Sequence, residues 1–293
     1  MAIQDFNGHV LCEIPAILGE GPTYDVTTDT AWWFDIKGKV LHELSLGDGT
    51  KRAHALPFLA SAMARIDDRR QLIASEDGLF IRDIETGALT LHVPLEADNA
   101  GTRSNDGRMH QSGALWIGTM GKQGEDAAGA IYHVAGSTVT RLYDKVSIPN
   151  AICFSPDGKT GYFADSADNR LMTVDLDPAT GLPLGAPRVL VDGKGRDGAF
   201  DGAVCDAEGH IWNARWGEGT VDRYDPSGQL VSRMAVPASQ VTCPAFIGRD
   251  LDRLLLTSAS DGLENATSSD GQTFELGVTV RGRAEPSFRL SAA

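Results

Sequence analysis

The chain has 293 residues and a formal net charge of −14, with 42% hydrophobic and 23% charged residues. An acidic chain without a lysine and arginine stripe repels polyanions, so we expect no nucleic-acid partner. The sequence lacks an apolar run near the roughly 18 residues of a membrane helix and also lacks the pattern of a secretory signal, so we expect a cytoplasmic protein with no membrane partner.

Short β-rich runs bounded by Gly, Asp, Pro and Asn recur along the chain, and six segments share one pattern. Each segment opens with a short strand, turns at a polar cluster and returns through a strongly apolar strand. The six segments begin at Gly19, Ala60, Ser104, Pro149, Phe200 and Val241. A spacing of about 40 to 50 residues with four short strands per unit is typical of β-propeller blades. The sequence therefore predicts an all-β, six-bladed β-propeller that spans residues 1–293 as one domain.

The two chain ends supply the last elements of this prediction. The run GQTFELGVTV near the C-terminus resembles an outer pair of strands without a full blade of its own. The N-terminal run GHVLCEIPAIL would add the missing strand and close the ring, which protects sheet edges. The alternative is an irregular pair of β-sandwiches, in which the matching registers of the six segments would be a coincidence.

In a propeller, the leading residue of each first strand points into the mouth of the central channel. The six segments place there Glu20, Ser61, Asn105, Asn150, Asp201 and Thr242. Two carboxylates in a confined channel repel each other unless a cation lies between them. We therefore predict that Glu20, Asn150 and Asp201 bind one divalent cation, either Ca²⁺, Mg²⁺ or Mn²⁺, with Zn²⁺ or Fe²⁺ also tolerated. The alternative for each residue alone is an ordinary turn former.

Other residue types with known chemistry show no site pattern. The cysteines at positions 12, 153, 205 and 243 form no CxxC pair, which favours buried, reduced thiols. The seven histidines include no HExxH motif, and no GxSxG motif offers a serine nucleophile.

The blade openings LGEGPTYD, RSNDGRMHQSGALWIGTMG, PNAICFSPDGKTGYFADS and FDGAVCDAEG resemble the SMP-30/gluconolactonase/regucalcin family, and the likeness runs from about residue 11 to 280. The resemblance implies a six-bladed propeller that binds one divalent cation and hydrolyses a sugar lactone. It implies the same three metal ligands and substrate contacts from Arg103 and Asn105. Gln123 stands where some members have a glutamate that helps to hold the substrate, so this contact departs from the family pattern.

Hydrolysis of a lactone needs a polarised carbonyl group, a water nucleophile and a base. A bound cation would polarise the carbonyl or acidify a water molecule. Asp201 is our candidate for the base, and a hydroxide bound to the cation is the competing account, since a carboxylate tied to a cation is a weak base. Two other functions stay open: hydrolysis of other esters or phosphotriesters, and calcium binding without turnover.

The loop VDGKGRDGAFDG places Lys194 and Arg196 just ahead of Asp201. If these cations overhang the channel, they would favour a lactone with an anionic substituent. The alternative is a solvated surface loop. We expect a small-molecule sugar lactone as the partner and a monomer or weak homo-oligomer as the assembly.

Overall fold

The computed structural model describes residues 3–291, and within this range the regular elements are antiparallel β-strands. None of these residues forms a helix that is long and apolar enough to cross a lipid bilayer. The first strand, β1 (His9–Cys12), joins the last sheet of the molecule.

Four sheets contain four strands each, which pair in chain order. The first sheet consists of β2 (Gly19–Asp25), β3 (Thr30–Asp35), β4 (Val40–Ser45) and β5 (Lys51–Ala55). The second consists of β6 (Ala60–Arg65), β7 (Arg70–Ser75), β8 (Gly78–Asp83) and β9 (Leu89–Pro94). The third consists of β10 (Thr102–Met109), β11 (Leu115–Gly121), β12 (Gly129–Ala135) and β13 (Thr138–Val146). The fourth consists of β14 (Pro149–Phe154), β15 (Thr160–Asp165), β16 (Arg170–Asp175) and β17 (Arg188–Asp192).

The fifth sheet has eight strands. One half consists of β18 (Ala199–Cys205), β19 (Ile211–Trp216), β20 (Thr220–Tyr224) and β21 (Leu230–Ala235). The other half consists of β22 (Gln240–Ile247), β23 (Arg253–Ala259), β24 (Thr273–Leu276) and β1. Between β19 and β22, only Trp216 and Gln240 pair within the described residues.

The strands that lead each unit, β2, β6, β10, β14, β18 and β22, contact one another in a closed circle. Apolar side chains fill the spaces between neighbouring sheets, as where Leu72 and Leu79 pack with Leu115 and Ile117. The whole is an all-β, propeller-like arrangement around a central axis. All four cysteines are buried and free, as the sequence predicts.

Each of the six leading strands has a β-bulge near its first residues. The pairing shifts register between residues 20 and 23, 60 and 62, 104 and 107, 150 and 153, 200 and 203, and 241 and 244. Bulges bend a strand and change the direction of its side chains, and they are common beside active sites. Gly21 and Ala151, which directly follow two predicted ligands, have φ values of 54° and lie in the left-handed region.

The chain ends differ in part from the prediction. Strand β1 pairs with β24, with Val10 opposite Phe274. The predicted outer pair of strands near the C-terminus is wrong, because only Thr273–Leu276 forms a strand there. Strand β1 already occupies the edge of β24, so the following run has no free edge to join. Residues 277–291 instead cross the end of the axis where β14 and β18 finish, as Arg283 donates to the carbonyl oxygens of Phe154 and Cys205.

Candidate active site

A cavity of about 370 Å³ opens at the end of the axis where the leading strands begin. Its wall includes six of the residues singled out from the sequence, namely Glu20, Arg103, Asn105, Gln123, Asn150 and Asp201. Four different sheets supply these side chains, which are far apart in sequence. Ser61 and Thr242 hold the same position in their strands but bond to neighbouring strands, where Ser61 donates to the carbonyl oxygen of Asn105 and Thr242 to that of Gly19.

Glu20 and Asp201 are buried, and their carboxyl groups lie within hydrogen-bond reach of each other. Removal from water, together with the nearby charge of Asp106, raises the pKa of Glu20 to about 7. Burial and the charge of Glu20 also raise the pKa of Asp201 well above its ordinary value. The backbone N–H of Gly21 donates to Glu20 over 2.9 Å, and that of Gly202 donates to Asp201 over 3.0 Å. These bonds fix the direction of both carboxyl groups.

A chain of hydrogen bonds orients the polar side chains on the other side of the cavity. Arg103 Nη1 donates to Asn105 Oδ1 over 2.8 Å, and Asn105 Nδ2 donates to Asn150 Oδ1 over 3.1 Å. Asn150 Nδ2 donates to Ser166 Oγ over 2.8 Å, and Ser166 donates to the carbonyl oxygen of Phe200 over 2.6 Å. The amide nitrogen of Asn150 is used by Ser166, and its oxygen, which accepts one hydrogen bond from Asn105, keeps a second lone pair for a cation.

The donor set fits a divalent cation. The carboxyl groups at or beside the axis include those of Glu20, Asp106, Asp201 and Glu285, and the guanidinium groups include those of Arg103, Arg108 and Arg283. The carboxyl groups of Glu20 and Asp201 repel each other when both are ionised, and one divalent cation between them would offset this repulsion. Carboxylate and amide oxygens are suitable ligands for such an ion.

Comparison with known proteins agrees with this geometry. The model of the SMP-30/Gluconolactonase/LRE-like region matches residues 18–260. The chain belongs to this family. It is 58% identical to the "Putative sugar lactone lactonase" of Rhizobium meliloti (strain 1021), over 97% of this chain and 98% of the relative. It is 34% identical to the L-arabinolactonase of Azospirillum brasilense, over 89% of this chain and 87% of the relative.

A solved structure shows the same fold. The crystal structure of a calcium-binding protein, regucalcin, from Agrobacterium tumefaciens is 60% identical to this chain, with a TM-score of 0.98. The match covers 99% of this chain and 100% of that one.

The loop cations predicted for anion recognition are paired with carboxylates of the protein. Arg196 pairs with Glu218 and donates to Asp222 over 3.0 Å, and Lys194 lies 3.4 Å from Asp168. Neither cation is part of the cavity wall. The buried carboxylate of Asp222 holds Arg196 against the sheet.

Other charged residues of the cavity wall were missed by the sequence reasoning. Lys37 lies 2.7 Å from Asp261, and Lys122 lies 2.5 Å from Glu76. Lys37, Lys122 and Asp261 each follow the second strand of a unit. An alignment of the six repeats would therefore have shown that they occupy equivalent positions. The sequence prediction considered only the leading strands and therefore passed over this position.

A second acidic group lies at the opposite end of β18 from Asp201. One ligand atom each of Asp206, Glu208 and His210 lie within 4.8 Å of one another. Arg223 donates to Asp206 over 3.0 Å, and its guanidinium group also lies 3.4 Å from Glu208. The arginine already supplies the positive charge that these acids need, so this group is not a candidate cation site.

Proposed function

We propose that the protein is a metal-dependent lactonase that opens a sugar lactone to the corresponding aldonic acid in sugar catabolism. The observation that carries this proposal is one cavity that combines two buried acids, an amide oxygen and an arginine. Family membership supports the reaction class, since a relative bears the name L-arabinolactonase. The similar regucalcin from Agrobacterium tumefaciens is described as a calcium-binding protein, which supports a cation.

We propose a single domain of six blades for this function. The eight-stranded sheet divides into two four-stranded units that share only one pair, Trp216 and Gln240, among the described residues. Strand β1 would then complete the sixth blade and close the ring. Each leading strand would bring its bulge to the same mouth of the channel.

Glu20, Asn150 and Asp201 are the residues that would hold the cation. When bound, the cation would polarise the ester carbonyl group and favour ionisation of a water molecule. Asp201 would accept the proton of the attacking water as the new carbon–oxygen bond forms. It would return the proton to the ring oxygen as the ester bond breaks, so the products are one carboxyl group and one hydroxyl group.

Arg103 and Asn105 would orient the sugar. Within residues 3–291, the hydrogen bonds of the Arg103 side chain use only Nη1, which leaves Nη2 and Nε for substrate oxygens. Asn105 holds both Arg103 and Asn150, so it would align substrate and ligand together. Gln123 at the cavity wall would add an uncharged contact.

We propose a neutral sugar lactone as the substrate. The lysines of the cavity wall are already paired with carboxylates: Lys37 with Asp261 and Lys122 with Glu76. An anionic substituent would have to break one of these pairs, and Lys194 and Arg196 lie outside the wall.

The test uses purified protein stripped with a chelator and assayed on neutral and anionic sugar lactones before and after addition of single cations. We expect the uncatalysed rate without a cation and recovery with one. Asp201→Asn should lose at least about 100-fold in kcat, because proton transfer contributes that much. Glu208→Gln, on the far side of the molecule, is the matched control and should keep full activity.

Two results would replace the proposal with its alternatives. A protein that binds the cation but leaves every lactone at the uncatalysed rate would be a calcium-binding protein without turnover. Faster hydrolysis of aryl esters or phosphotriesters than of any sugar lactone would assign a different ester substrate.

A further inference from the structure

Two buried charged residues lie on β10 just beyond Asn105. Arg108 is 7% exposed and Asp106 is 5% exposed. Arg108 Nη1 donates to Glu285 Oε1 over 2.9 Å, and its Nη2 donates to the carbonyl oxygen of Ala203 over 3.2 Å. Arg108 is the main positive charge near Asp106. Neither residue belongs to the wall of the cavity, so the reaction proposed above does not use them directly.

Asp106 and Arg108 each bond to backbone two residues beyond a proposed cation ligand. Asp106 Oδ2 accepts the N–H of Ile152 over 2.7 Å, and Ile152 lies two residues after Asn150. Arg108 bonds to Ala203, which lies two residues after Asp201. Ile152 falls within the register shift of β14, where strand pairing is interrupted, and Ala203, which pairs with Asn213, borders the register shift of β18. Side chains therefore hold the backbone inside one bulge and at the edge of the other.

The positive charge of Arg108 has a partner from the other end of the chain. Glu285 belongs to the C-terminal segment, residues 281–289, which crosses the far end of the axis. Arg283 holds this segment to the carbonyl oxygen of Phe154 over 2.9 Å, and the N–H of Phe288 donates to the carbonyl oxygen of Arg65 over 2.7 Å. Phe288 is 2% exposed and packs in the core. The segment is thus fixed on both sides of Glu285.

A buried arginine that loses one of its carboxylate partners keeps an uncompensated charge, which is strongly unfavourable. Without Glu285, Arg108 would turn further toward Asp106 or toward water. Either movement changes the bonds to Ile152 and Ala203. The position of Glu285 is therefore linked through two side chains to the backbone that carries Asn150 and Asp201.

We propose that Glu285 is a positioning residue, which acts through Arg108 and Asp106 to hold Asn150 and Asp201 in the arrangement that binds the cation. The proposal rests on the function proposed above. The C-terminal segment lies at the opposite end of the axis from the cavity, and the proposal assigns it a role in positioning residues of the cavity.

The test compares Glu285→Gln with Glu275→Gln in the full-length protein. Both substitutions remove one negative charge and one partner of an arginine, since Glu275 pairs with Arg253 on the last sheet. Hydrogen exchange of the cation-free protein reports on the backbone, and Ca²⁺ titration reports on the site. In Glu285→Gln we expect faster exchange in peptides covering residues 149–154 and 199–205, and about tenfold weaker Ca²⁺ affinity. Glu275→Gln should match the unchanged protein in both measurements.

Glu285→Asp keeps the charge on a shorter side chain and should show an intermediate effect in both measurements. It therefore tests the same link if Glu285→Gln does not fold. Unchanged exchange in those two peptides would overturn the proposal. Faster exchange with unchanged Ca²⁺ affinity would also overturn it, because the segment would then be structural only. Failure of the unchanged protein to bind any cation would count against the proposed function, whereas the exchange comparison still reports whether Glu285 fixes the two strands.

Discussion

Glu20 and Asp201 are two acids that the fold removes from water and places together. Ordinary folding would avoid such a pair, because each buried charge loses its hydration and repels the other. Two backbone N–H groups, from Gly21 and Gly202, hold the carboxyl groups in place in spite of this cost. At the scale of single residues, a bound cation would offset the repulsion between the two carboxylates, and this is the physical reason for the proposed site.

The unfolding free energy of the cation-free protein should depend on pH because Glu20 is buried beside Asp201. The pKa of Glu20 is raised from 4.5 to about 7 in the folded protein, so folding favours the protonated form. The stabilisation from this proton is complete below pH 4.5 and is lost as the pH rises to about 7. The loss is on the order of 3 kcal/mol, at about 1.4 kcal/mol per pKa unit.

Glu20→Gln cannot ionise and should escape this loss. We expect equal unfolding free energies for the two proteins near pH 4 and a more stable variant above pH 7, measured by urea unfolding with a chelator present. Buried histidines such as His110 and His133, whose pKa values burial lowers, titrate in both proteins and cancel in the difference. Asp201 does not cancel, because burial and also the charge of Glu20 raise its pKa; loss of that repulsion adds to the advantage of the variant at high pH. A difference that stays constant from pH 5 to pH 8 would contradict the prediction.

At the scale of elements, four of the six leading strands place a residue of the cavity wall at their bulge, namely Glu20, Asn105, Asn150 and Asp201. In β2 the bulge follows Glu20 and places Gly21 against the neighbouring strand. A Cβ atom at Gly21 would lie 2.0 Å from the carbonyl oxygen of Ser61, and the φ value there is 54°. Glycine is therefore required at this position both for its backbone conformation and for the space it leaves.

Gly21→Ala and Gly49→Ala separate these two requirements. Gly49 has a φ value of 73° and open space around it, so alanine there costs only the backbone strain of about 1 to 2 kcal/mol. Gly21→Ala adds a clash with backbone and should lose at least about 2 kcal/mol more in urea unfolding, because a crowded core must shift. Equal losses for the two variants would show that β2 moves freely away from β6, against the tight contact between Gly21 and Ser61.

The repeat of turns made much of the fold predictable. The polar turns mark the ends of the leading strands, so the residues that open them could be aligned without a structure. The bulges could not be predicted, because Ala151 adopts a left-handed conformation that its side chain does not favour. The direction of Arg196 also could not be predicted, since it depends on Asp222 in a strand that follows later in the chain.

At the scale of the whole molecule, both chain ends contact sheets that lie far from them in the sequence. Strand β1 pairs with β24 of the last sheet, while Cys12 packs against Trp33 and Leu44 of the first sheet. The N-terminal strand thus joins sheets from opposite ends of the sequence. The C-terminal segment crosses the far end of the axis. The course of this segment depends on β1 occupying the edge of β24, which local sequence does not indicate.

Deletion of residues 1–13 should therefore destabilise the entire ring. The deletion exposes the edge of β24 and removes the buried Cys12 side chain. We therefore expect the free energy of unfolding to fall by at least about 3 kcal/mol, which corresponds to a fall in Tm on the order of 10 °C. We also expect aggregation through the free edge. Deletion of residues 1–7 is the control, because it keeps β1 and removes mainly the short pairing of Gln4 with β21 and the partly buried Phe6. If the two deletions lower Tm equally, β1 contributes nothing of its own and the closure of the last sheet is not what stabilises the ring. A much larger fall for the longer deletion would show that the stability of six separate leading strands depends on a single short strand that begins at His9.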